Sequence, residues 1–142
     1  MARIKIQLPE KSHGRYHIPV RITDINYGNH VGNNAIVEII HEARVQFLKQ
    51  NNFTELNAAG TGLIMTELQV EYKNESFYPD VLSVDLFVGE ITNISFELYY
   101  LLSTERNGDR ITIAQAKTGM VCYDYAAKKV VMIPQQLKEM LT

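Results

Sequence analysis

Between Asp24 and Asn34 the stretch DINYGNHVGNN sets one carboxylate, one imidazole, two glycines and four asparagine amides ahead of an apolar run. An imidazole at His30 can exchange a proton near neutral pH or donate to a carbonyl, and it can equally hold loop backbone. Asp24 can serve as a base, or it can satisfy turn N–H groups as aspartate does at many strand ends. Asn26 offers donors and an acceptor but no oxygen able to attack a carbonyl or deprotonate water. Gly28 lets a ligand approach the backbone closely, at a point where a helix start would supply free N–H groups and a positive dipole end.

The elements that must position these groups follow from hydrophobic periodicity. Ile18, Val20 and Ile22 alternate with Pro19, Arg21 and Thr23, which predicts a strand ahead of the loop, with Pro19 at an edge or strand end. After the loop, Ile36, Ile40, Ala43 and Phe47 recur at helical spacing, and Val37, Ile39 and Leu48 widen the stripe enough for a largely buried helix. Asn33 or Asn34 stands where a helix cap is expected. Glu42 and Arg44 read as a pair on the helix surface or across an interface, and His41 as a residue of its polar side. From Leu63 onward four strand-like runs, LIMTELQVEYK, DVLSVDLFVGEI, ISFELYYLLSTE and RITIAQAKTGMVCYDY, are separated by NESFYP, TN and RNGD. Asn107-Gly108 is a strong two-residue hairpin signal, so the strands are expected to run antiparallel in sequence order. AAKK turns the last into VVMI, and Pro134 opens a short terminal helix. One buried helix and several long antiparallel strands pack most economically as an α+β domain in which the sheet curls around the helix, here spanning residues 1–142. Its exposed edges favour pairing with a second copy of the chain.

Composition narrows the function classes. Fourteen basic against sixteen acidic side chains give a net charge of -2, with no Lys/Arg run to neutralise phosphates, so nucleic acid is not the expected partner. No stretch approaches the roughly 18 apolar residues of a membrane span, and the amino terminus has no apolar core of signal-peptide length. These features predict a cytoplasmic protein. The single cysteine, Cys122, lies in an apolar run and is expected to pack as a small hydrophobe. His13, His17, His30 and His41 are too scattered to argue for a metal, and no cofactor motif is present.

The stretch from Asp24 to Arg44 resembles the acyl-CoA thioesterases of the hotdog fold, in particular the 4-hydroxybenzoyl-CoA thioesterase and YbgC-like group. In these enzymes the first strand ends in Asp-x-Asp-x-x-Gly-His-Val-Asn-Asn before a helix ending near Glu-Ala-Arg. This chain carries Asp24, Asn26, His30-Val31-Gly32-Asn33 and Glu42-Ala43-Arg44 in the same register, without a gap. VEYKNESFYPDVLSV is similar to the following strand and turn, and more so to the segment of plant acyl-ACP thioesterases that reads Glu-Tyr-Arg-Arg-Glu-Cys, where Glu75 takes the place of an active-site glutamate. Asn26 stands where the family has its usual catalytic aspartate, Gly28 where the plant enzymes have asparagine, and Asn29 where a glycine precedes the histidine.

The resemblance implies a hotdog fold, a homodimer or dimer of dimers, and hydrolysis of an acyl-CoA or acyl-carrier-protein thioester. It implies Asn26, His30, Glu75 and Asp24 as catalytic candidates, with Tyr27, Gly28, Asn29, Val31 and Asn33 lining the substrate. Glu75 can also be an ordinary solvated charge in a polar turn. The substitution at Asn26 keeps open an alternative in which the domain binds acyl thioesters with little or no hydrolysis.

Overall fold

The computed structural model describes residues 5–142. In chain order the elements are β1 (Ser12–Pro19), a 3-10 turn (Ile22–Asp24), α1 (Asn33–Gln50), β2 (Gly62–Tyr72), β3 (Val81–Ile91), β4 (Ser95–Arg106), β5 (Asp109–Asp124), β6 (Lys129–Val131) and α2 (Gln135–Leu141). The strands form one antiparallel sheet in the order β1-β3-β4-β5-β2, with β6 added to β5.

Alternation along β4 explains how the sheet meets the helix. Phe96, Leu98, Tyr100 and Leu102 are buried on one face, and across from them β5 presents the small residues Ala114 and Ala116 together with Met120. On α1, Ile36, Ile39, Ile40, Ala43, Phe47 and Leu48 complete the same core. Removing each such large side chain from water stabilises the fold by about 1.5–3 kcal/mol, so packing rather than helix propensity fixes where α1 lies. Cys122 is fully buried in that core, as its apolar run predicts.

The Asn107-Gly108 turn joins β4 to β5 with both residues in the left-handed region, φ 53° and 84°, as a hairpin turn of this length requires. β3, β4 and β5 are therefore a meander in sequence order. The expectation fails at β2, which pairs with β5 and lies across the sheet from β3. NESFYP belongs to a crossover rather than a hairpin. Its start is tied down by Ile113, whose carbonyl accepts the N–H groups of Lys73 and Asn74.

Two local expectations are also corrected. The strand ahead of the loop ends at Pro19, because Asp24 folds back to accept the N–H of Arg21 and closes a 3-10 turn, leaving Ile22 exposed. The cap of α1 is Gly32, with no side-chain hydrogen bond, and Asn33 and Asn34 are already helical. No helix among the described residues is long and apolar enough to cross a membrane.

Candidate functional site

The loop before α1 is a small closed structure. Asn26 N–H donates to the His30 carbonyl at 2.9 Å, and Asn29 N–H donates to the Asn26 carbonyl at 3.1 Å. Asn29 takes a left-handed φ of 63°, a conformation that asparagine tolerates better than most residues. The Asn26 side-chain Oδ1 accepts the Gly28 N–H at 2.9 Å, which assigns that atom as oxygen and leaves Nδ2 as a donor beside Gly32. A Cβ on Gly28 would lie 3.2 Å from both Asn26 Oδ1 and His30 Nε2, so the glycine lets these two side chains approach the same backbone.

One further bond closes the loop and two clamp it to the rest of the molecule. Gly32 N–H donates to the Asp24 carbonyl, Val31 N–H donates to the Ser76 carbonyl of the β2–β3 crossover, and the Tyr72 hydroxyl donates to the Asn33 carbonyl. His30 Nδ1 lies 3.2 Å from the Val31 carbonyl oxygen, which fixes Nδ1–H as donor and leaves Nε2 to exchange a proton. No side chain caps α1; the Ala35 N–H donates to the Gly32 carbonyl, the Asn33 and Asn34 N–H groups have no partner among the described residues, and the dipole end favours developing negative charge there.

Two cavities flank this helix start and share Asn33. One, of about 330 Å³, is walled by Asp24, Asn26, Gly32, Asn34 and Glu38. The other, of about 210 Å³, is walled by His30, Val31, Tyr72, Glu75 and Ser76. The structure thus brings His30 together with Glu75, and Asn26 together with Asp24, on opposite sides of Asn33. Gly28 and Asn29 stay on the exposed loop, and Tyr27 projects fully into solvent.

Asp24 is buried, and both its carboxylate oxygens are engaged by Arg21, one through the backbone N–H at 2.8 Å and one through Nη2 at 3.2 Å. Its role here is to close the turn. Glu75 is exposed, and its backbone carbonyl accepts Arg106 Nη2 at 2.8 Å. Sequence reasoning missed the group that holds this crossover. Asp80 accepts Arg106 Nη2 at 2.6 Å, the Ser76 hydroxyl at 2.9 Å and the Phe77 N–H at 2.9 Å, while the guanidinium lies 4.9 Å over the Phe77 ring. Burial alone would push the Asp80 carboxyl up, but the bonds from Arg106, Phe77 and Ser76 outweigh it and hold the group below the usual aspartate range. The only local signal was an aspartate just after Pro79; its arginine partner lies 26 positions further along the chain.

The arrangement can bind a polarised carbonyl at the helix start and exchange protons at His30. Its counterparts in known proteins agree in fold. A 1,4-dihydroxy-2-naphthoyl-CoA thioesterase from Synechocystis superposes with a TM-score of 0.80 at 20% identity, covering 89% of this chain and 93% of that one. A gentisyl-coenzyme A thioesterase superposes with a TM-score of 0.78 at 21% identity, covering 91% and 100%. In sequence, a protein of Aquifex aeolicus named "Putative esterase" is 29% identical over 102 residues, which is 70% of this chain and 75% of that protein. These neighbours establish the hotdog arrangement, an antiparallel sheet packed on one long helix. The thioesterase-like superfamily profile matches residues 20–141, a span that includes the loop, the helix and all of the sheet but β1, and the chain belongs to that superfamily.

Proposed function

We propose that the protein hydrolyses an acyl-CoA or acyl-carrier-protein thioester to the free acid and thiol. The observation that carries this reading is the uncapped start of α1, open to a cavity beside Asn26 and adjoining the one that holds His30. The thioester oxygen is held by the first N–H groups of the helix and by Asn26 Nδ2, where negative charge grows as the tetrahedral intermediate forms. Asn26 is then a working donor in place of the aspartate of related enzymes. His30 Nε2 delivers a proton to the leaving sulphur, and Glu75 in the same cavity stabilises the charged imidazole. Val31 and Asn33 wall the cavities, Gly28 gives room to the loop, and Tyr27 and Asn29 line the approach for the carrier arm. Superposition on two CoA thioesterases supports CoA as the carrier.

Thiol release from a panel of aliphatic and aromatic acyl-CoAs and acyl-carrier proteins tests the reading. His30→Ala is expected to lower kcat by about ten- to a hundredfold, as for loss of a proton-transfer group. Asn26→Asp is expected to lower it about tenfold or more, because an acceptor replaces the donor facing the oxyanion. A rise in kcat for Asn26→Asp across pH 6 to 9 would show instead that the position lacks a base. The engaged carboxylate of Asp24 and the amide at Asn26 favour one other reading, a domain that binds acyl thioesters without turnover. Ligand-induced thermal stabilisation without thiol release from any substrate would establish it.

We further propose a homodimer or dimer of dimers joined at β2. This strand is eleven residues long, pairs with no strand but β5 among the described residues, and exposes Met65, Leu68 and Tyr72. Such an edge invites a second strand. Sedimentation at micromolar concentration should give at least twice the monomer mass, and a monomer would remove this assembly.

A further inference from the structure

We infer that Glu38 is the carboxylate that activates the attacking water, an inference that rests on the hydrolase reading. The cavity beside Asn26 has two carboxylates on its wall, Asp24 and Glu38. Asp24 is buried with each oxygen already accepting a hydrogen bond from Arg21, which leaves it less free than Glu38 to take a proton from water. Glu38 is exposed and forms no hydrogen bond or ion pair among the described residues; its charge acts on Arg21, which responds chiefly to Asp24. Glu42, one helical turn further on, accepts the Gln46 amide at 2.8 Å and does not reach this cavity.

Helix geometry sets Glu38 on the face of α1 that carries its first turn. It follows Asn34 by four residues and Ala35 by three, so the three share one face of α1. Helical side chains lean toward the N-terminus, which carries the Glu38 carboxylate up that face toward the open N–H groups. Glu38 also walls a neighbouring cavity of about 340 Å³, where Ile18, Pro19 and Ile39 lie among polar side chains that include Arg21, Glu42 and Gln46. It therefore stands where the cavity beside Asn26 meets a second one that has room for part of the substrate.

In the step this places, the water oxygen bonds to the thioester carbon while Glu38 takes one of its protons, and the carbonyl electron pair moves onto the oxygen held by the helix start. As the intermediate collapses the C–S bond breaks, the sulphur leaves as thiolate and is protonated from His30, and the acid product departs. The Glu38 proton returns to solvent or to His30, so no co-reactant is consumed.

Purified Glu38→Gln, Glu38→Asp, wild-type and, as a control at an exposed glutamate outside both cavities, Glu90→Gln proteins are compared for thiol release on the acyl panel, with melting temperature and binding of a non-hydrolysable acyl-CoA thioether measured in parallel. Expected are a fall in kcat of about a hundredfold or more for Glu38→Gln with thioether affinity within about threefold of wild type, and partial recovery in Glu38→Asp. The acid limb of the kcat/KM profile should disappear in Glu38→Gln, and Glu90→Gln should behave as wild type. Wild-type kcat in folded Glu38→Gln overturns the role of Glu38 and leaves the hydrolase reading standing. A wild-type protein that releases no thiol from any substrate overturns the hydrolase reading itself. Should Glu38→Gln not fold, Glu38→Asp decides: unchanged kcat and an unchanged acid limb overturn the role, and a reduced kcat with a shifted limb supports it.

Discussion

Arg44→Ala is expected to lower folding stability by about 3–5 kcal/mol, seen as a fall in melting temperature of roughly 10 °C or more. The guanidinium is buried between α1 and the sheet, where Nε donates to Glu55 at 3.1 Å and Nη1 donates to the Tyr100 hydroxyl at 3.3 Å. The Tyr100 oxygen is in turn 2.8 Å from the Thr118 hydroxyl, and both residues are fully buried. Burial works against the Arg44 charge more than any other single influence, but Tyr100 and Glu55 together outweigh it and raise the guanidinium pKa. Alanine leaves a cavity, an underused tyrosine hydroxyl, and a Glu55 paired with His41 alone. Arg44→Met refills the volume and should recover about half of the loss, which separates the packing of the arginine stem from its charge. Urea denaturation of the three proteins checks the order. Equal midpoints for wild type and Arg44→Ala would show that the sheet, not this network, seats the helix.

The second large effect is expected at Asp80. Asp80→Ala removes the acceptor of three donors at once, the Arg106 guanidinium, the Ser76 hydroxyl and the Phe77 N–H, of which Ser76 is buried. Losing this shared acceptor costs about 2–4 kcal/mol, although Arg106 keeps its bond to the Glu75 carbonyl. Activity should fall as well, because Arg106 holds the Glu75 carbonyl and Ser76 holds the Val31 N–H of the loop. The pH dependence has a definite sign. The folded carboxyl titrates below its ordinary value of 3.8, so on acidification the unfolded chain takes up the proton first. The stability contributed by Asp80 is fully present above the ordinary value and is lost as pH falls through the lowered one. Asp80→Asn should therefore be less stable than wild type at neutral pH, with the difference shrinking below about pH 4. Thermal melts from pH 2 to 7 measure this, and a gap that stays constant over the range would remove Asp80 from the acid response.

How much of this was legible beforehand depends on the distance over which each cause acts. The apolar spacing of Ile36, Ile40, Ala43 and Phe47 determined α1, because helical periodicity is a property of neighbouring residues. Asn107 and Gly108 determined the β4–β5 turn for the same reason, their backbones being among those that accept a positive φ. The loop from Asp24 to Asn34 stood out as a site by its density of amides, glycines and one imidazole. What the tertiary structure alone decided is who meets whom. β2 carries no mark that it pairs with β5 instead of β3, since edge hydrogen bonding is the same for any strand and the choice falls to the long crossover. Arg44 read as half of a pair with Glu42, on the helix surface or across an interface, until Tyr100 and Thr118, far along the chain, gave it a buried partner set. The same distance hid the Asp80–Arg106 clamp and the company of Glu38 and Asn26 in one cavity. Charges and strand edges are satisfied by whatever the packed core brings alongside them, and that juxtaposition is written in no local run of sequence.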